Sequence, residues 1–181
     1  IKIPNEKKEI KIEIHSVGLL KDESHALGIS FAKSGLDLDI TQNLEIWAIA
    51  SLEKISFNNS VQKNPINIIA GSGVGINENT SAICISDFAK EVLYANLLDI
   101  LPNGFNLNLE IVFPNGEFLA ERTSNQSFGI VDGLSIIGTS AETYSSASPD
   151  QLEDAKKKLA NLTKNDFKGK VVFVIGENGL N

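Results

Sequence analysis

PNGEFLAERTSNQSFGIVDGLSIIGTSAE, residues 114–142, makes more unusual demands than any other stretch of this chain. Gly116, Gly129, Gly133 and Gly138 punctuate it. Between them stand Glu121, Arg122, Thr123, Ser124 and Asn125, then Asp132, Ser135, Thr139 and Ser140. Arg122 is the only arginine in the protein. Glycine permits a left-handed backbone or a close approach. Hydroxyls, amides and a guanidinium offer hydrogen bonds to oxygen-rich groups. As local structure, Pro114-Asn115-Gly116 is a turn, residues 117–123 either return as the second arm of a hairpin, the preferred reading, or start a helical turn, and residues 134–137 form a short buried strand. Arg122 has two uses open to it: a salt bridge to Asp132 or Glu121, or a grip on a ligand's carboxylates.

Immediately upstream, residues 105–113 (FNLNLEIVF) alternate apolar and polar and read as a strand. A helix precedes them. Ser86 is its N-cap, Asp87 suits its first turn, and Phe88, Ala89, Val92, Leu93, Leu97 and Leu98 form one apolar stripe before Pro102-Asn103-Gly104 stops it. Residues 44–52 (LEIWAIASL) and 67–70 are strands, with Trp47 packed inward for its large apolar area. A shorter strand starts near Leu27. Residues 9–14 (EIKIEI) have the period of a half-buried strand with Ile10, Ile12 and Ile14 inward, joined to Ile1–Ile3 by a Pro4-Asn5 turn. His15 and His25 read as surface residues.

Downstream, Ser148-Pro149-Asp150-Gln151 opens a second helix reaching about Leu162, acidic early and lysine-rich late. Residues 171–175 (VVFVI) are a continuous apolar strand of the parallel-sheet kind. The predicted class is α+β: a mixed, largely antiparallel sheet with two main helices, leading into the start of an α/β (Rossmann-like) second domain. The boundary falls between residues 1–168 and 169–181. The chain opens on Ile1, contains no methionine and stops just after that last strand, so it is read as lacking both ends of a longer product.

Two other stretches carry chemistry. Gly71-Ser72-Gly73-Val74-Gly75 follows a strand directly. Many methyltransferases begin their S-adenosylmethionine site this way, although Ala70 stands where such sites carry an acid and residues 76–81 read as loop rather than helix. Asp37 and Asp39, two apart in GLDLDIT (residues 35–41), share one face of an extended segment. They either bind a cation or polar ligand, or sit in a surface loop that caps the next element. Cys84, the one cysteine, is read as a small buried hydrophobe.

The chain has 181 residues, formal net charge −7 and 42% hydrophobic residues. That acidity argues against nucleic acid, whose binding needs a basic surface. No run is long and apolar enough to span a membrane. A single cysteine excludes an internal disulfide and a cysteine-based metal cluster, and points to a reducing cytoplasm.

The 114–142 stretch resembles the signature of the cobalt-precorrin-5B C(1)-methyltransferase (CbiD) family of anaerobic cobalamin biosynthesis, roughly PxGxxxAxxTxNxxLGIxGGISILGTTG. Pro114, Gly116, Ala120, Thr123, Asn125, Gly129, Ile130, Gly133, Ser135, Ile136, Gly138 and Thr139 match in register. Phe128, Asp132, Leu134, Ile137, Ser140 and Ala141 depart, and Asp132 stands where the family has the first glycine of a pair. The family's GDDPDVT is echoed by Gly35, Asp37, Asp39 and Thr41, and its GxGVG loop by residues 71–75.

The resemblance implies methyl transfer from S-adenosylmethionine to C-1 of a carboxylate-rich tetrapyrrole, with cobalt held by the macrocycle and no metal held by the protein. Arg122, Thr123, Asn125, Gly129, Gly133, Ser135, Gly138, Thr139, Asp37 and Asp39 are then the substrate-binding candidates. Gly71, Gly73, Gly75, Gly176 and Gly179 are the candidates for the methyl donor. No catalytic residue is assigned, and a homo-oligomer stays open. Two other readings also stay open: a non-catalytic binding or assembly domain on the same scaffold, and a phosphate- or nucleotide-binding enzyme using GSGVG.

Overall fold

The computed structural model describes residues 1–4, 9–33, 40–55, 64–138, 149–164 and 168–170. Two compact units divide the chain, Ile1–Thr143 and Tyr144–Asn181.

The first unit is built on a five-stranded sheet. Its strands are β1 (Ser16–Leu19), β2 (His25–Phe31), β3 (Glu45–Lys54), β4 (Ile66–Ala70) and, later in the chain, β7 (Phe105–Val112), in spatial order β1-β2-β3-β7-β4. Three neighbouring pairs are antiparallel, and β4 runs parallel to β7. The sheet is therefore mixed and mostly antiparallel, as the alternating strands predict.

β7 is central because every second residue is apolar. Leu107, Leu109 and Ile111 enter the core with Leu44, Ile66, Val74, Phe113 and Leu134. Helix α1 (Asp87–Leu97) supplies Leu93, Tyr94 and Leu97 to that core. Leu98, expected in the stripe, is instead the exposed C-cap.

Ser86 does cap α1: its Oγ accepts from the Ala89 N–H at 3.1 Å. Trp47 is half-buried on β3 and donates its Nε1–H to Glu45 at 2.7 Å. His15 meets Phe31 edge-on, ring centroids 5.1 Å apart, and His25 Nδ1 lies 2.5 Å from Asp22.

The N-terminal strand fails. Residues 10–15 form no strand, and Ile12 and Ile14 are 53% and 69% exposed. This end is held instead by an isolated Lys2–Glu9 bridge, reciprocal bonds between Ile1 and Ile10, and hydrogen bonds of Lys2 to Asn96 and Asp99. A period of two makes a strand only where another strand offers its edge, and the edge of β2 is already taken by β1.

Of the two readings of residues 117–123, the preferred hairpin arm is wrong and the helical turn is the one that forms. Residues Gly116–Ala120 form a short helix, α2, with the Leu119 N–H bonded to the Asn115 carbonyl at 3.1 Å. Glu, Leu and Ala favour helix, and both edges of β7, the strand a hairpin arm would pair with, are taken by β3 and β4.

Two two-residue pairings and an isolated bridge add to the unit. β5 (Gly73–Val74) runs parallel to β9 (Gly133–Leu134), β6 (Ile76–Asn77) antiparallel to β8 (Ile130–Val131), and Ile85 bridges Ile136. The strand expected at 134–137 is thus shorter, with Ile137 68% exposed.

In the second unit, α3 (Pro149–Lys164) starts where the proline signal places it. Residues 155–162 are exposed, so Lys156, Lys157 and Lys158 form a solvated face. Asp37, Asp39, Thr139, Ser148, the 171–175 strand, Gly176 and Gly179 lie outside the described residues.

Candidate functional site

The two glycine-rich stretches, far apart in sequence, are laced together along their length. Going up the 71–86 segment, Gly75 N–H donates to Leu134 O (2.8 Å), Glu78 N–H to Gly129 O (2.8 Å), and Ser86 N–H to Ile136 O (2.8 Å); Cys84 O receives Ile136 N–H (2.8 Å). The Ser86 hydroxyl, besides capping α1, donates to Gly138 O at 2.6 Å. Val74 is 1% exposed and pins the loop into the core.

At the middle of this lacing three backbones cross. A Cβ on Gly73 would overlap the Phe113 carbonyl and come within 3.0 Å of Gly116 N. A Cβ on Gly116 or on Gly133 would overlap the Gly73 carbonyl. Gly73 therefore serves first to let Gly116 and Gly133 approach, while Gly71 lets the loop pass close to β7. This is a structural reason for the motif that local sequence does not reveal.

Around the crossing lie two adjoining hollows. The larger, about 310 Å³, is lined by Glu117, Ala120, Glu121, Asn125 and Asp132 among others. The smaller, about 280 Å³, is lined by residues 70–74 with Ile76, Glu117 and Asp132. Glu117 and Asp132 face both.

Asp132 has φ +66°. This left-handed region favours glycine, and aspartate is among the few other residues that visit it. The glycine of the family pattern is explained, and so is the tolerance for Asp here.

The sequence-predicted residues separate into groups. Asn125 and Gly133 line the larger hollow; Gly71 and Gly73 line the smaller. Thr123 and Asn125 are also braces: Thr123 Oγ1 donates to Ala120 O (2.7 Å) and accepts from Asn125 N–H (3.2 Å), while Asn125 Nδ2 donates to Gly133 O (3.0 Å). Gly129 ends a 3₁₀ turn (Asn125–Phe128) with φ +67°. Ser135 is half-buried in the lacing, and Gly138 is exposed with its carbonyl held by Ser86.

Arg122 is exposed, follows α2 and is not among the residues lining either hollow. Among the described residues it makes no ion pair with Asp132 or Glu121. Sequence reasoning missed Glu117, which sits directly after a signature glycine, and Ser72 of the loop.

Burial raises the Cys84 thiol above its ordinary value, which suits the packing role read from sequence. Among the described residues no three His, Cys, Asp or Glu side chains stand together as a metal site, and no helix is long and apolar enough to cross a membrane.

The CbiD family profile matches residues 1–145. This chain belongs to the CbiD family. Proteins called cobalt-precorrin-5B C(1)-methyltransferase match along its whole length. One from Prochlorococcus marinus strain MIT 9312 is 87% identical over 181 residues, all of this chain and 49% of its own. Another, from strain MIT 9515, is 70% identical over 99% of this chain and 48% of its own. A third, from strain MIT 9313, is 39% identical over 99% of this chain and 48% of its own. The chain thus spans about half the length of these CbiD relatives. A crystal structure of a cobalamin biosynthesis protein (cbiD) from Archaeoglobus fulgidus is 24% identical, with a TM-score of 0.47, covering 76% of this chain and 43% of its own.

Proposed function

We propose that this chain contributes to S-adenosylmethionine-dependent methylation of C-1 of a cobalt-precorrin tetrapyrrole, in the anaerobic route to cobalamin and in the cytoplasm. The observation that carries the proposal is the convergence of the family's two glycine-rich stretches on one pair of hollows. The name borne by relatives up to 87% identical supplies the reaction. When bound, the donor supplies an electrophilic methyl group. The chain's share is to hold the reactants and exclude water, and alignment of that kind is worth ~7–11 kcal/mol of barrier. Cobalt belongs to the substrate.

Thr123, Asn125 and Gly133 keep the larger hollow in shape through their hydrogen bonds. Arg122, exposed beside Glu121, is the proposed clamp for the macrocycle's carboxylates. Gly129, Ser135, Gly138, Thr139, Asp37 and Asp39 remain proposed substrate neighbours. Gly176 and Gly179 remain proposed for the methyl donor, in a second α/β domain that starts near residue 169.

Calorimetric titration with S-adenosylhomocysteine tests the reading. Heat and a thermal shift are expected; neither would leave a non-catalytic binding domain, and binding of ATP in its place would favour a nucleotide enzyme. The nucleotide reading is weakened at Gly73, whose Cβ side is filled by the Phe113 carbonyl and Gly116 rather than left to a phosphate. Arg122→Ala should weaken binding of a carboxylated porphyrin and spare S-adenosylhomocysteine. Equal loss of both with an intact fold would remove the clamp.

A further inference from the structure

We infer that the paired hollows receive the positively charged methyl donor and that the tetrapyrrole's carboxylates are held outside them. The inference rests on the methyl-transfer reading above and divides the two ligands between places. Glu117 and Asp132 face both hollows and Glu121 faces the larger one, whereas among the described residues no lysine or arginine lines either. A ligand carrying several carboxylates would meet only like charge there, which costs binding at every approach.

S-adenosylmethionine bears a sulfonium and an ammonium against one carboxylate. It is a net cation, so its charge is complementary to these walls. Volume points the same way. About 310 Å³ and about 280 Å³ sit at the small end of ligand pockets, roughly 300–1,000 Å³; that suits a nucleoside joined to an amino acid better than a macrocycle with acid side chains. The rest of the described wall is uncharged: Asn125, Gln126 and the exposed Ser72 are polar, and Ala120, Ile130, Val131 and Ile76 are apolar. The chain's one guanidinium, Arg122, lies outside the lining, where an anionic substrate can reach it.

The test compares two probes that differ in one charge. Sinefungin carries an amine in place of the sulfonium and is a net cation; S-adenosylhomocysteine has a neutral thioether there. Both are titrated calorimetrically into the 181-residue chain, into Glu117→Gln and into Asp132→Asn. Asparagine tolerates the left-handed backbone at residue 132 as well as aspartate does, so this variant removes charge and keeps the turn; its unfolding midpoint verifies that.

Sinefungin should bind more tightly than S-adenosylhomocysteine. Each variant should reduce that preference by about 2–5-fold, the range of exposed ion pairs, and added salt should reduce it further. An unchanged preference in both variants, with both probes still binding, overturns the charge assignment and leaves the methyl-transfer reading standing. Displacement of sinefungin by uroporphyrin would also overturn it. Failure of both probes to bind the unaltered chain overturns both readings.

Discussion

Replacing Gly116 by alanine isolates what the three-backbone crossing is worth. Gly116 does not have positive φ, so the added methyl meets no conformational penalty of its own. It meets Gly73 instead: its Cβ would overlap the Gly73 carbonyl oxygen and lie 2.7 Å from the carbonyl carbon and 2.9 Å from the Cα. Those are backbone atoms, and Gly73 is held on its other side by Gly133. The clash cannot be relieved by turning a side chain.

Overpacking costs about 1–3 kcal/mol and occasionally more, and this site belongs at or above ~3 kcal/mol. Two glycines serve as controls. Gly129 has φ +67° and open space, so Gly129→Ala pays only the left-handed penalty, ~1–2 kcal/mol. Gly28 lies mid-strand with nothing within 4 Å of a Cβ and no positive φ, so Gly28→Ala should stabilise by about 0.4–1 kcal/mol. Urea unfolding at constant m-value reads all three, and each kcal/mol moves the thermal midpoint by roughly 2–4 °C at this size. Gly116→Ala should also weaken S-adenosylhomocysteine, because Glu117 moves with it. A Gly116→Ala cost no larger than that of Gly129→Ala would refute the crossing as the reason for the glycine.

Asp132→Gly should be neutral to stabilising and Asp132→Ala should cost ~1 kcal/mol by thermal unfolding, because only the side chain's tolerance of φ +66° changes. Ser86→Ala loses both the α1 cap and the bond to Gly138, for a cost of about 1–2 kcal/mol; Ser86→Thr should recover part of it. The hydrogen bond from Lys2, and then its charge, hold Asp99 below the usual carboxylate range, and Lys33 does the same for Glu13. A lowered folded-state value means stability present in full above the ordinary carboxylate pKa and lost as pH falls through the folded one. Lys2→Gln should therefore flatten the acid limb of stability and leave the region above pH 11 little changed. Cys84 should be alkylated at pH 8 more slowly than a free thiol, since burial raises its pKa; a rate equal to that of a free thiol would contradict its packing.

Strands β2, β3, β4 and β7 and the two long helices were legible in the sequence because their signals are local, whereas β1 (Ser16–Leu19) was not. Alternation in residues 105–113 and 44–52 and the caps at Ser86 and Pro149 need only neighbours a few residues away. The 12-position family signature was equally legible, since identity at fixed spacing survives without coordinates. What the glycines and polar residues of that signature are for was not. Gly73, Gly116 and Gly133 stand 43 and 17 residues apart in the chain, and their shared reason is a crossing that exists only after β4, β7 and α2 have folded. The same holds for Ile12 and Ile14, whose alternation joins no strand because β1 already pairs with β2, and for residues 117–123, where β3 and β4 occupy both edges of β7 and α2 forms instead. Thr123 and Asn125 read as ligand groups because their polarity is visible in sequence; that their hydrogen bonds are spent on Ala120 and Gly133 is a fact of three-dimensional closure. Local propensity thus determined which segments are regular, while excluded volume and the supply of open strand edges determined which of them meet and which acids face the hollow.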